Sequence, residues 1–177
     1  LTFLTGVLID DEGTVVIMDW DRHAGSWRTL SGDDDGKRFV ISGLPEAQEV
    51  GTEAVLAVSV SYRVDLDAVQ RQFTGVPLVH MELEDGSPDC HWSDLKQGAI
   101  GKQFLETAIA LGNAGVRRLH IVLAAQNSLA FRFGRLYDKR NLPQATVYQY
   151  ERDNTPSYPW GVLMPVAGIA VAVVIHA

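Results

Sequence analysis

The chain has 177 residues and a mass of 19.4 kDa, which suits one domain of ordinary size, and its 46% apolar and 21% charged residues exclude a disordered chain. The net charge of −7 is uneven, because residues 1–115 sum to −11 and residues 116–177 sum to +4. Non-specific binding to long DNA grows with the number of neutralised phosphates, so this acidic chain is a poor DNA-coating protein and a fair receptor for a small anion.

The first half of the sequence predicts a hairpin and then a strand–helix–strand unit. Two β-rich runs, Leu1–Ile9 and Thr14–Trp20, flank Asp10–Gly13, and Asp and Gly at such a position are typical of a hairpin turn. The chain then stays polar and irregular up to Glu49, except for a short strand at Phe39–Ile41. The unit that follows is predicted as a buried strand, a helix capped by Asp65 and a returning strand, at Ala54–Tyr62, Leu66–Phe73 and Val76–Leu83.

The second half repeats this alternation after a long helix. The predicted elements are helix, strand, helix and strand, at Asp94–Asn113, Arg118–Ala125, Asn127–Asp138 and Ala145–Tyr150. Two strand–helix–strand units predict an α/β fold with a mainly parallel sheet and flanking helices. We expect one domain over residues 1–177, made of two related lobes at about 1–88 and 89–177.

Several classes of function and location are disfavoured. The single Cys90 cannot form an internal disulfide, which favours a reducing cytoplasm, and the five histidines lack the spacing of a metal site. The apolar run Gly161–Ile175 is shorter than the about 20 residues of a membrane span, so we expect buried strands and no membrane contact. Glycine-rich nucleotide loops and the GxSxG elbow are absent, which disfavours the usual dehydrogenases and hydrolases and leaves no catalytic residue or cofactor to assign. The start at Leu1 suggests an excised part of a longer chain.

Two places where a strand gives way to a loop or helix are candidate ligand contacts, because ligands of open α/β sheets bind beyond the carboxyl ends of the strands. At the first, Ser59, Ser61 and Arg63 could meet a phosphate and Tyr62 could stack on a base. At the second, the sequence offers side-chain donors and the free amides of a helix N-terminus, at Gln126, Asn127 and Ser128. The alternative is that Asn127 and Ser128 only cap the helix.

Aromatic and basic residues elsewhere complete the set of candidates. Trp20 with Arg22, and Trp27 with Arg28, could supply stacking and guanidinium contacts to a purine, although one tryptophan could instead be a core residue. Arg132 could reach the ligand or belong to a solvated basic helix face with Arg135 and Lys139. Tyr148 and Trp160 could line a site or pack in the core.

Three segments, in order along the chain, resemble the C-terminal half of a SAVED sensor domain, and a fourth resembles a strand of its first half. Leu119–Ala125 is similar to a family strand reading roughly "iHlf-A-P", Gln126–Leu136 to a helix reading "alA-LG", and Val147–Glu151 to a strand ending "lYE". Ala54–Tyr62 resembles the family strand in which Ala and hydrophobic residues precede Ser or Thr. Gln126-Asn127 replaces the proline that usually follows the Ala pair.

The resemblance implies two fused CARF-like, Rossmann-type lobes that bind a cyclic oligonucleotide messenger in bacterial CBASS anti-phage defence. A cyclic dinucleotide such as a cGAMP isomer is expected first and a cyclic trinucleotide second, with ligand binding driving self-association. The resemblance is closest to the C-terminal sensor of an HNH endonuclease effector, so this part of the protein would be catalytically inert and would not itself hold DNA. Two alternatives stay open: a ring nuclease that degrades the messenger, and a constitutive α/β dimerisation module.

Overall fold

The computed structural model describes residues 1–9, 15–45, 51–138, 140–164 and 173–176. Within those ranges the helices are α1 (Thr2–Leu8), α2 (Leu66–Gln72), α3 (Asp94–Asn113) and α4 (Asn127–Leu136). The strands are β1 (Met18–Asp21), β2 (Ser26–Thr29), β3 (Phe39–Ser42), β4 (Glu53–Ser59), β5 (Leu78–Leu83), β6 (Arg118–Ala124), β7 (Gln144–Gln149), β8 (Trp160–Leu163) and β9 (Val173–His176). No helix in these ranges has both the length and the apolar character that a membrane span requires.

One seven-stranded sheet organises the chain, in the order β3-β5-β4-β6-β7-β8-β9. The four central strands β5, β4, β6 and β7 are parallel, and antiparallel strands flank them on both sides. The predicted α/β class with a mainly parallel sheet is therefore confirmed. Because β4 pairs with β6, the strands of the two predicted units share this sheet and do not face each other as two sheets.

Three helices cover one side of the sheet, which we call the helical face. Its strand residues are mostly aliphatic, among them Leu56 and Ile121, and they pack on a ring cluster in which Phe104 and Phe133 stack with centroids 4.5 Å apart. Phe3 of α1 meets Phe104 edge-on at 6.1 Å. Each fully buried ring removes a large apolar area from water, so this cluster contributes strongly to the stability of the fold.

The opposite side, which we call the α2 face, carries a smaller apolar cluster and more polar groups. Val55, Val69 and Val122 form its centre, under the short helix α2. Asp65 begins that helix as predicted, because its side-chain Oδ1 accepts a hydrogen bond of 3.0 Å from the amide of Ala68. His80 and His120 also lie on this face, by their pairing with Ala57 and Val55.

The prediction of a strand at Leu1–Ile9 is wrong, because this segment forms α1. Burial of Phe3 and the close approach of Gly6 to α4 outweigh the β-propensity of the segment; a Cβ on Gly6 would lie 2.2 Å from the Phe131 carbonyl oxygen. The predicted turn Asp10–Gly13 lies outside the described residues.

A hairpin does form, further along the chain. β1 pairs antiparallel with β2 around a turn at residues 22–25, where Gly25 adopts φ of +64°. The polar segment predicted as irregular therefore contains a strand, and its predicted short strand appears as β3. At the C-terminus, β8 and β9 occupy parts of the predicted strand region. Val174 of β9 is 52% exposed, so the expectation of burial is wrong for that strand.

Candidate functional site

The loop after β4 folds over the end of β6. The amides of Val60 and Ser61 each donate to the carbonyl oxygen of Ala124 over 3.1 Å, and the amide of Tyr62 does so over 3.5 Å. Ser59 holds the other end of the loop, since its Oγ accepts from the amide of Val64 over 3.0 Å and lies 2.9 Å from His80 Nε2. These contacts hold the loop against the end of β6, and its exposed side chains, Tyr62 and Arg63, are available to a ligand.

One side of this loop borders a groove of ≈ 450 Å³, which we call the tyrosine groove. Its lining combines aromatic, basic and small residues: Tyr62, Arg63, Val64, Asp65, Leu123, Ala124, Ala125, Tyr150, Arg152 and Tyr158. The ring centroids of Tyr150 and Tyr158 lie 5.6 Å apart. Burial raises the pKa of Tyr158 to about 12, so its hydroxyl stays protonated at neutral pH.

The two arginines give the tyrosine groove its positive charge. Arg63 is largely exposed, with Nε 3.2 Å from Glu82 Oε1. Arg152 is exposed and forms no ion pair with any residue that the structure describes. An exposed cation beside aromatic rings suits an anionic, ring-bearing ligand.

The other side of the loop borders an acidic groove of ≈ 460 Å³, which shares Tyr62 and Arg63 with the first. It contains Glu82, Glu84 and Asp85, of which Asp85 is bound by Lys37. Glu84 accepts a hydrogen bond of 3.3 Å from the amide of Arg38. A phosphate is repelled by three carboxylates, so the tyrosine groove is the better anion site of the two.

The start of α4 has a different arrangement from the one predicted. Gln126 occupies the N-cap position without a side-chain cap, and its Nε2 donates to the Pro88 carbonyl over 2.6 Å. Asn127 is the first residue of α4 and not its N-cap, and its side chain accepts from Thr2 Oγ1 over 3.1 Å, so the alternative that Asn127 caps α4 is wrong. The amide of Ser128 donates to Asp19 Oδ2 over 3.2 Å, which places a carboxylate of the chain at this helix N-terminus.

The two tryptophans form an exposed cross-strand pair on the β1–β2 hairpin, which we call the tryptophan ribbon (residues 18–29). Trp20 and Trp27 are 47% and 63% exposed, with ring centroids 5.8 Å apart, so the alternative that one of them is a core residue is wrong. Arg22 Nη2 donates to the hydroxyl of Tyr62 over 3.2 Å, which ties the ribbon to the tyrosine groove. Arg28 binds Asp21 over 3.3 Å and lies 4.7 Å from the ring centroid of Trp92.

The remaining candidates lie outside the tyrosine groove. Arg132 is partly buried, bound to Asp94 and 3.3 Å from Gln97 Oε1, so it is not part of a solvated face; Lys139 lies outside the described residues. Tyr148 and Trp160 line a smaller cavity of ≈ 240 Å³. The hydroxyl of Tyr148 lies 3.1 Å from His120 Nδ1.

Sequence reasoning did not place Tyr150, Arg152 or Tyr158 among the candidate residues, although all three line the tyrosine groove. All three follow the carboxyl end of β7, between β7 and β8. Ligands of such sheets bind beyond the carboxyl ends of parallel strands. The same rule, applied to β7 as it was to β4 and β6, would have made these three residues candidates.

Comparisons with known proteins agree with this fold. A search of curated proteins found no match. The Acinetobacter baumannii Cap4 SAVED/CARF-domain containing receptor is similar in structure: its complex with 2'3'3'-cAAA gives a TM-score of 0.52 at 14% identity, over 74% of this chain and 27% of that chain. Its complex with 3'3'3'-cAAA gives 0.51 at 14% identity, over 65% and 25%. The chain thus spans about a quarter of the length of those receptors. The profile described as "SMODS-associated and fused to various effectors sensor domain" matches residues 1–164, and the chain belongs to this SAVED family of sensor domains.

Proposed function

We propose that this chain binds a cyclic oligonucleotide in the tyrosine groove. The observation that carries the proposal is the lining of that groove, where three tyrosines and two arginines meet at the carboxyl edge of a parallel sheet. Membership of a family of sensor domains supports the same conclusion. A groove of this volume lies within the usual range of small-molecule sites.

Each part of the groove has a distinct role in the proposal. Tyr62 and Tyr150, both exposed, stack on bases, and each stack contributes about 1–3 kcal/mol. Arg63 and Arg152 bind phosphate oxygens. Ala124 and Ala125 have short side chains, so the ligand can approach the end of β6 closely. The neighbouring acidic groove repels phosphate and so limits the orientations in which the ligand binds.

Calorimetric titration with a panel of cyclic di- and trinucleotides tests the proposal, with cGAMP isomers first and trinucleotides second. Arg152→Ala should weaken binding at least tenfold, since a hydrogen bond to a charged group contributes about 1.5–3 kcal/mol. Arg71→Ala is the matched control, because Arg71 is exposed on α2 and does not line the groove. Absence of heat from every member of the panel contradicts the proposal.

The proposal extends to signalling in bacterial anti-phage defence. Ligand binding would drive self-association of the sensor in the cytoplasm and activate a fused effector, for which an HNH endonuclease is our first choice. The −11 charge of residues 1–115 makes direct DNA binding by this part unfavourable. Light scattering during the titration should show a rise in mass with ligand; a constitutive dimerisation module would instead assemble without it.

A ring nuclease is the enzymatic alternative. No histidine lines the tyrosine groove among the described residues, and His120 is held by Glu53 and Tyr148 over 3.0 Å and 3.1 Å. The geometry therefore favours a receptor over an enzyme. Chromatography of the ligand after prolonged incubation separates the two, since a receptor returns it intact.

A further inference from the structure

The acidic groove combines an apolar surface with polar side chains in one row across three strands. Ser59, Glu82 and Val40 are paired neighbours on β4, β5 and β3, so their side chains lie on one face of the sheet, and all three line the groove. Val40 is 58% exposed. An exposed aliphatic side chain beside carboxylates suits a flat, uncharged ring with hydrogen-bond donors on its edge, whereas a phosphate is repelled.

Glu82 is the carboxylate of this groove with the most capacity to bind a ligand. Its side chain is 40% exposed, and Arg63 Nε lies 3.2 Å from its Oε1. A carboxylate offers about four lone-pair sites, so both oxygens of Glu82 can accept further hydrogen bonds. Asp85 is bound by Lys37, and Glu84 is exposed and accepts from a backbone amide.

A buried hydroxyl in the wall of the same groove lacks a hydrogen-bond partner. Ser61 lines the groove and is 4% exposed, and its Oγ bonds to no residue that the structure describes. Native proteins rarely leave a buried polar group unpaired, because desolvation without a compensating hydrogen bond is unfavourable. A ligand that brings an acceptor to this wall supplies the missing partner.

The loop between the two grooves is arranged so that one ligand can use both. Tyr62 and Arg63 line both grooves, and Arg22 Nη2 donates to the Tyr62 hydroxyl over 3.2 Å, which holds the exposed ring at one end. Arg63 contacts Glu82 through Nε, which leaves its two terminal nitrogens for a phosphate. A nucleotide lying across this loop can therefore place its phosphate in the tyrosine groove and its base in the acidic groove.

The two acceptor oxygens and the hydroxyl of the acidic groove match the edge of one base. Guanine presents an acceptor at O6 and donors at N1 and N2, side by side. We propose that the acidic groove is a base subsite that selects guanine, in which Glu82 accepts from N1 and N2 and Ser61 donates to O6. This inference rests on the proposed function, because the phosphates of the same ligand bind in the tyrosine groove. Adenine offers one amino donor on this edge and turns the lone pair of its N1 toward the carboxylate, so the groove disfavours it.

The first test is Glu82→Gln, which keeps the size of the side chain and replaces one carboxylate oxygen by a donor amino group. Calorimetric titrations compare ligands matched in ring size and linkage, such as 3'3'-cGAMP with 3'3'-cyclic di-AMP. The wild type should bind the guanine-containing member about tenfold or more tightly, because hydrogen bonds to a charged acceptor are the stronger ones. Glu82→Gln should reduce this preference to about threefold or less, because an amide suits the donor and the acceptor of adenine.

Glu106→Gln is the matched control, because it makes the same change at an exposed position of α3 outside both grooves. It should keep the preference of the wild type for guanine. Equal affinity for the two members of each pair that binds, or tighter binding of the adenine member, overturns the inference while the proposed function stands. A guanine preference that Glu82→Gln leaves unchanged overturns it as well.

A second arm uses the mononucleotides GMP and AMP and needs no cyclic ligand. In titrations followed by nuclear magnetic resonance, GMP should shift the methyl signals of Val40 and the ring signals of Tyr62 with about threefold or higher affinity than AMP. Glu82→Gln should remove this difference. Signals that respond equally to both nucleotides, or to neither, overturn the inference. If GMP is distinguished from AMP and no cyclic nucleotide binds, the guanine subsite stands and the proposed function fails.

Discussion

The two faces of the sheet are built from different kinds of residue. The helical face is apolar and lies under three helices, with Phe133 and Phe104 buried in it. The α2 face has a seven-residue helix and carries His80 and His120 among its valines. The difference indicates that the two faces have different roles. The helical face stabilises the fold, and the α2 face, with the loops at its carboxyl edge, can hold polar groups that bind a ligand.

The largest expected loss of stability comes from removing a buried ring of the helical face. Phe133→Ala should lower the free energy of unfolding by about 3–5 kcal/mol, because it removes a fully buried ring that stacks on Phe104. Phe73→Ala, on the α2 face, removes a partly buried ring that contacts His120 and Tyr148 and should cost about 1–2 kcal/mol. Urea denaturation measures both. Equal losses would contradict the division between the faces.

A smaller effect should come from the contact between α1 and α4. A Cβ on Gly134 would lie 2.0 Å from the carbonyl oxygen of Phe3, so Gly134→Ala must push the two helices apart. We expect a loss of about 1–3 kcal/mol. Gly98→Ala is the control, since its Cβ would meet only Arg132, at 3.9 Å, and alanine favours a helix interior by up to about 1 kcal/mol. The midpoint temperature of thermal unfolding should therefore fall for Gly134→Ala and rise for Gly98→Ala.

Some elements could be predicted from the sequence and others could not, for a physical reason. The bounds of α3 follow from its apolar period and were predicted as observed, and the strands β4 to β7 follow from runs rich in apolar residues and were predicted within three residues. The helix α1 was not predicted, because its contact with Gly134 is set by residues more than 120 positions away. The local sequence pattern predicts a helix or strand whose apolar residues repeat with the period of that element. The conformation of other segments depends on packing against distant residues.

The candidate site shows the same limit. Tyr62 and Arg63 were predicted as ligand contacts because they stand at the carboxyl end of a predicted strand. Arg152 was missed because its place in the groove depends on how the segment between β7 and β8 returns to the sheet. The pairing of Arg132 with Asp94 depends on the packing of α4 on α3, which no spacing within α4 reveals.

A third prediction concerns the polar network of the α2 face. Glu53 binds Arg118 and lies 3.0 Å from His120 Nε2, and the hydrogen bond to His120 holds the pKa of Glu53 below its usual range. A carboxyl with a lowered folded-state pKa stabilises the fold above its unfolded pKa and loses that contribution as the pH falls through the folded value. Glu53→Gln should thus cost about 0.5–1 kcal/mol at pH 7, and the difference from wild type should shrink below about pH 4.5.

The control for that network is Glu106→Gln, which breaks an exposed i,i+4 pair with Lys102 at 3.7 Å. It should cost about 0.3–0.5 kcal/mol. Denaturant midpoints for both variants across pH 3–7 provide the measurement. A Glu53 effect that is the same at pH 3 and pH 7 would show that its charge does not contribute.

The smallest expected change in stability comes from Tyr62, where stability and ligand binding should respond differently. Tyr62 is 53% exposed at the carboxyl edge of the sheet, so Tyr62→Ala should change the free energy of unfolding by less than about 0.5 kcal/mol. The same change should weaken cyclic nucleotide binding by about 1–3 kcal/mol, the contribution of one base stack. Leu95→Ala, 72% exposed on α3, should alter neither quantity. If Tyr62→Ala lowered stability as much as affinity, the loop would be part of the core, and the division between a stabilising face and a ligand-binding edge would fail.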